Sequence, residues 1–69
     1  LDIQDISDEA VQLKNDFAAF RHVVTLLLQT PGAHLVTLSL LLHVTQETEQ
    51  IVKELRSLIK SVRRFRELV

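Results

Sequence analysis

The sequence predicts an all-α fold, an antiparallel helical hairpin that assembles into a four-helix bundle or coiled coil. Apolar residues recur at alternating three- and four-residue steps in both halves of the chain, the spacing of one face of a helix. Alternation by two residues, the pattern of a strand, is not seen. The one proline and the one glycine of the 69 residues stand side by side at Pro31 and Gly32, which predicts a single interruption.

The first helix is predicted over about 7–29. Ser7 is a suitable N-terminal cap, and Asp8 and Glu9 favour the positive end of the helix dipole. Ile6 is placed to pack on Val11 as a hydrophobic staple. An apolar seam then follows, made of Ile3, Ile6, Ala10, Leu13, Phe17, Phe20, Val24 and Leu27.

The second helix is predicted over about 31–69, with Thr30 as its cap and Pro31 in its first turn. So short a connection favours antiparallel neighbours. The polar stretch 45–50 leaves two alternatives open, one continuous helix, which we prefer, or a break that would produce a three-helix bundle. The seam of this helix is made of Leu41, Val44, Thr48, Ile51, Leu55, Leu58, Val62, Phe65 and Val69.

Length and composition predict one small module over residues 1–69, which we interpret as a segment of a larger protein because it begins with Leu1. The chain has no cysteine, so disulfides are excluded as reinforcement and packing or oligomerisation must stabilise it. Without cysteine or a secretory signal, we expect an intracellular location, cytoplasmic or nuclear.

Charge differs between the two halves. Residues 1–30 carry five acidic and two basic side chains, whereas residues 31–69 carry four acidic and six basic ones. A hairpin that folds at Pro31 therefore brings an acidic segment beside a basic one. We expect pairs between them to select the antiparallel orientation more than to stabilise it.

Surplus apolar surface near the turn predicts that the function is association. A helix with one neighbour needs one apolar stripe, yet the stretches 23–28 and 35–42 are apolar nearly all round. We therefore expect a homo-oligomer, a dimer or tetramer, or docking to helices of a partner protein, in a scaffold or adaptor role. The predicted interface consists of Phe17, Phe20, Val24, Leu27, Leu28, Leu35, Leu38, Leu41, Leu42, Val44, Ile51, Leu55, Leu58, Val62 and Phe65.

Other functional classes find little support in the sequence. A basic surface is predicted opposite the second seam and is formed by Lys53, Arg56, Lys60, Arg63 and Arg64. It is interpreted as a solvated face or, alternatively, as part of an amphipathic hairpin that binds an anionic membrane. A net charge of −1 argues against nucleic acid, and polar residues interrupt every apolar run before the length of a transmembrane segment. No spacing predicts catalysis, a cofactor or a metal site, so we expect no enzyme.

Overall fold

The computed structural model describes residues 2–68 and contains two helices, α1 over Ile3–Leu28 and α2 over Leu35–Leu68. They pack against each other as an antiparallel hairpin, which confirms the predicted fold class. The molecule is a rod of 57 × 15 × 15 Å. The predicted helix end at Val69 lies outside the described residues.

The first helix begins four residues earlier than the sequence predicted, because the cap is Asp2 and not Ser7. The Asp2 carboxylate accepts from the Asp5 backbone N–H at 3.0 Å, and the Asp2 N–H donates to the Asp5 carboxylate at 2.9 Å. This reciprocal capping box satisfies two backbone donors that a helix start otherwise leaves free. Asp5 takes the position that Glu or Gln usually holds, and it adds negative charge to the positive end of the dipole.

The turn is longer than predicted, and Pro31 belongs to it and not to the second helix. The Ala33 N–H donates to the Thr30 carbonyl at 3.1 Å, so Pro31 and Gly32 hold the central positions of a β-turn. Gly32 has φ 79°, the left-handed value that the third position of a type II turn requires. The fixed φ of proline suits both a first helical turn and this β-turn, and the following glycine decides for the β-turn.

The second helix is continuous through the polar stretch 45–50, as preferred, and has no hinge there. The Thr45 hydroxyl donates to the Leu41 carbonyl at 2.7 Å, and the Thr48 hydroxyl donates to the Val44 carbonyl at 2.8 Å. These side chains therefore satisfy their hydrogen bonds within the helix and do not compete with it. With 26 and 34 residues, the two arms are unequal, as predicted.

The seam predicted for α2 is wrong, because α2 turns a different and less apolar stripe towards α1. Among residues 2–68, four apolar side chains are buried between the helices, namely Ala10, Val24, Val52 and Ile59. Thr45 and Glu49 are buried in the same seam at 3% and 6% exposure. The seam is completed by the half-buried apolar residues Ile3, Phe17, Leu28, Leu38 and Leu42.

One ion pair crosses the seam at mid-length. The Arg21 Nε lies 2.5 Å from the Glu49 Oε1, and the side chains are 43% and 8% exposed respectively. Every buried side-chain nitrogen and oxygen within residues 2–68 has a hydrogen-bond partner. The Arg21–Glu49 pair therefore compensates the one carboxylate that is buried among these residues.

Candidate helix-packing interface

The most apolar stripes of both helices lie on one side of the seam and are exposed to solvent. We call these side chains the apolar face. On α1, Ile6, Leu13, Phe20 and Leu27 recur every seven residues and are 44–48% exposed. On α2, the apolar face consists of Leu41, Val44, Ile51, Leu55, Leu58, Val62 and Phe65, which are 37–68% exposed.

The two stripes lie on the same side of the hairpin. Ile6 and Leu13 of α1 line one groove together with Leu55 of α2. Leu13 also lines a second hollow, together with Phe17 and Phe20 further along α1. At 3.6 residues per turn, Leu55 shares its side of α2 with Val44, Ile51 and Val62. The result is one apolar face along the rod, with the groove between the helices at its centre.

The apolar face has the size of a protein–protein interface. From the exposed fractions of its side chains, it presents on the order of 1,000 Å² of apolar surface, where the largest patch on a monomer is usually about 300–600 Å². The whole chain exposes 5476 Å², whereas a compact monomer of 7.9 kDa exposes about 4,400 Å². The radius of gyration is 16.1 Å, against about 11 Å for a compact domain of this length.

Carboxylates border the apolar face along both edges. Asp5, Glu9 and Asp16 of α1 line the same groove as Ile6, Leu13 and Leu55. On α2, Glu47 and Glu54 are exposed, and each stands three or four residues from Ile51, which places them along the outer edge of its stripe. Among residues 2–68, Arg66 near the end of α2 is the one basic side chain whose register places it beside this face.

The basic surface lies on the opposite side of the hairpin. Lys53 lines a polar hollow with Arg21, Gln46, Glu49 and Gln50, away from the groove that Leu55 lines. Helical spacing places Lys60 and Arg64 on the same side of α2 as Lys53, whereas Arg56 and Arg63 are half-buried and turn towards the seam.

The expected pairing of an acidic α1 with a basic α2 is therefore not what joins the helices. The open ends do meet, and an Arg63 Nη donates to the Gln4 side-chain oxygen, but this partner is neutral. The ion pair that crosses the described part of the seam has the reverse polarity, with its base, Arg21, on α1 and its acid, Glu49, on α2. The groove-lining acids of α1 are separated from the exposed bases of the basic surface because the two groups lie on opposite sides of the rod.

The residues predicted as an interface divide into three groups. Phe17, Val24, Leu28, Leu38 and Leu42 are buried or half-buried within the hairpin and so serve the seam. Leu35 is 60% exposed at the start of α2, beside the turn. The rest belong to the apolar face, namely Phe20, Leu27, Leu41, Val44, Ile51, Leu55, Leu58, Val62 and Phe65.

Ile6 and Leu13 belong to the seam predicted for α1 but not to the predicted interface. Their seven-residue spacing with Phe20 and Leu27 is the signal that separates them from Ala10 and Val24, which are 3% and 1% exposed. The turn end of the hairpin is apolar as well, as predicted. Leu26, Val36 and Leu40 are exposed there at 51%, 86% and 63%.

Two further features are absent from the described part of the chain. Residues 2–68 contain no group of three or more His, Asp or Glu side chains placed to hold a metal ion. Neither α1 nor α2, over these residues, combines the length and the apolar character that a bilayer-crossing helix needs.

No protein-family model, curated protein sequence or solved structure matches this chain.

Proposed function

We propose that the chain is a protein–protein interaction module that packs its apolar face against further helices and completes a helical bundle, in a scaffold or adaptor role. The observation that carries the proposal is the direction of the apolar stripes. Two helices that formed a complete structure would turn their most apolar stripes towards each other. Here the stripes of Leu13 and Leu55 point to the same side, as they do where helices face the centre of a larger bundle.

Burial supports the same conclusion. The seam buries only a few side chains, one of them a carboxylate, and a module of this size is marginally stable on its own core. Docked helices would remove from water an apolar surface comparable to the roughly 800 Å² that one partner buries in a standard interface. Association therefore supplies the apolar burial that the hairpin itself lacks.

The alternative, an amphipathic hairpin that binds an anionic membrane, receives less support. Such a helix places basic side chains beside its apolar face, where they meet lipid headgroups while the apolar side chains enter the bilayer. In this hairpin Asp16 and Glu9 border the apolar face, and Lys53 lies on the opposite side. The basic surface and the apolar face therefore have no common plane in which to meet a membrane.

The proposal is tested with self-association and with one model helix. Sedimentation equilibrium from about 1 μM to 1 mM measures homo-oligomers. Fluorescence anisotropy measures binding of a labelled 21-residue peptide, which has a Leu/Ile stripe and Gln along both edges of the stripe. Its length matches the stretch from Ile6 to Leu27, about 31 Å at 1.5 Å per residue. We expect self-association, peptide binding or both.

The matched variants are Leu58→Lys and Ser57→Lys, which add the same charge at adjacent exposed positions. Leu58 is 60% exposed on the apolar face, and Ser57 faces away from it by helical register. We expect Leu58→Lys to weaken association about 10-fold or more, because it buries an ammonium group, and Ser57→Lys to leave it unchanged. A chain that stays monomeric at 1 mM and binds no peptide contradicts the proposal, as do equal effects of the two variants.

A further inference from the structure

The edges of the apolar face carry information about the partner. Asp5, Glu9 and Asp16 line the groove on the side of α1, and Glu47 and Glu54 follow the edge of α2. The net charge of −1 conceals this arrangement, because most of the basic residues that balance these acids lie at the seam or on the opposite side of the rod. A helix that docks in the groove thus meets carboxylates along both of its sides, those of α1 on one and those of α2 on the other.

A second copy of the chain is poorly matched to this face. If two hairpins packed face to face, each acidic edge would oppose an acidic edge, whether α1 met α1 or α2 of the other copy. Like charges across an interface lower affinity and select against the wrong partner. Arg66 stands at the open end of the hairpin, beyond Leu55 and Val62 along α2, and so does not relieve repulsion along the groove.

We propose that the natural occupant of the apolar face is an amphipathic helix of another protein whose apolar stripe is bordered by Lys or Arg. This inference rests on the proposed function and specifies its partner. Docking in the groove would place the apolar stripe of that helix on Ile6, Leu13 and Leu55, as in helix-in-groove recognition. Its basic side chains would reach Glu9 and Asp16 on one edge and Glu54 on the other. Such edge pairs chiefly determine which partner binds and how fast.

The test compares three labelled 21-residue peptides that share one Leu/Ile stripe and differ only along its edges, which carry Lys, Gln or Glu. Each peptide is kept at nanomolar concentration, and the chain is titrated in about 50 mM and about 500 mM salt. We expect the Lys peptide to bind on the order of 10- to 100-fold more tightly than the Glu peptide at low salt. The difference should shrink at high salt, because exposed charges are then screened.

Asp16→Lys and Asp8→Lys provide the matched pair, since both reverse one exposed charge on α1. Asp16 lines the groove, whereas Asp8 accepts from Gln4 at 2.7 Å on the side of α1 that faces away from it. We expect Asp16→Lys to reduce the preference for the Lys peptide several-fold and Asp8→Lys to preserve it.

The outcomes separate this inference from the proposed function. Equal affinity for the Lys and Glu peptides overturns the inference but leaves a helix-packing module. So does a micromolar homodimer that Leu58→Lys dissociates, because the occupant is then a second copy. Failure of all three peptides, together with a monomer at 1 mM, overturns both proposals. A Lys preference that Asp16→Lys reduces and Asp8→Lys retains supports the inference.

Discussion

Replacement of Arg21 by alanine tests how the hairpin stabilises its buried carboxylate. The Glu49 side chain is 8% exposed, and its ion-pair partner Arg21 is 43% exposed. A fully buried pair costs about 3–5 kcal/mol to break, and a fully exposed pair contributes at most about 1 kcal/mol. Because the Arg21–Glu49 pair has one buried and one half-exposed partner, we expect Arg21→Ala to lower the free energy of unfolding by about 2 kcal/mol. The loss arises because Glu49 is left as a desolvated charge.

Removal of the acidic partner should lower the stability less than removal of Arg21. Glu49→Ala leaves the guanidinium of Arg21 in a half-exposed position, where water can solvate it, so we expect a loss of about 1 kcal/mol. Replacing both residues with leucine should recover most of the stability lost in Arg21→Ala, because an apolar pair in this seam needs no compensation.

The assay is urea unfolding followed by helical circular dichroism, at one fixed chain concentration so that association does not shift the result. With a slope of about 1 kcal/mol per M, Arg21→Ala should lower the midpoint by about 2 M. Lys53→Ala is the control, because Lys53 lines the same polar hollow but is exposed. A loss for Arg21→Ala no larger than that for Lys53→Ala, or smaller than that for Glu49→Ala, refutes the reasoning.

Two further predictions concern the turn and the two stripes of α2. Gly32→Ala should cost about 1–2 kcal/mol in urea unfolding through backbone strain alone, because φ is 79° and an added Cβ meets no atom within 4 Å; an unchanged midpoint would contradict the assigned turn. Ile59→Ala should cost about 2–4 kcal/mol, since Ile59 is 4% exposed and its loss leaves a cavity. Ile51→Ala should cost less than about 1 kcal/mol in the unbound chain, since Ile51 is 63% exposed. A larger loss for Ile51→Ala than for Ile59→Ala would instead support the seam that the sequence predicted.

Local chemistry made the helices and their boundary predictable to within a few residues. The three- and four-residue spacing predicted both helices, and Pro31–Gly32 placed the turn. The misplaced ends have local causes as well. The spacing Asp2-x-x-Asp5 is a capping signal that Ser7 obscured, and Pro31 is compatible with a helix start until Gly32 requires a positive φ.

The direction of each stripe was decided only by the tertiary structure. A helical repeat shows that Ile51 and Val52 lie about 100° apart around α2, but it does not show which of the two meets α1. Periodicity favours the more apolar stripe as the one that faces the hairpin neighbour. The structure instead turns the less apolar stripe, with Val52 and Glu49, towards α1.

The sequence by itself thus determined two amphipathic helices joined by one turn, with surplus apolar surface, because periodicity, capping and turn chemistry act over a few residues. The tertiary structure decided where the surplus lies. It brought Ile6 and Leu13 beside Leu55 and left the acids along the edges of that face. Such placement depends on the rotation of each helix about its own axis, and that rotation is set by packing across the whole seam.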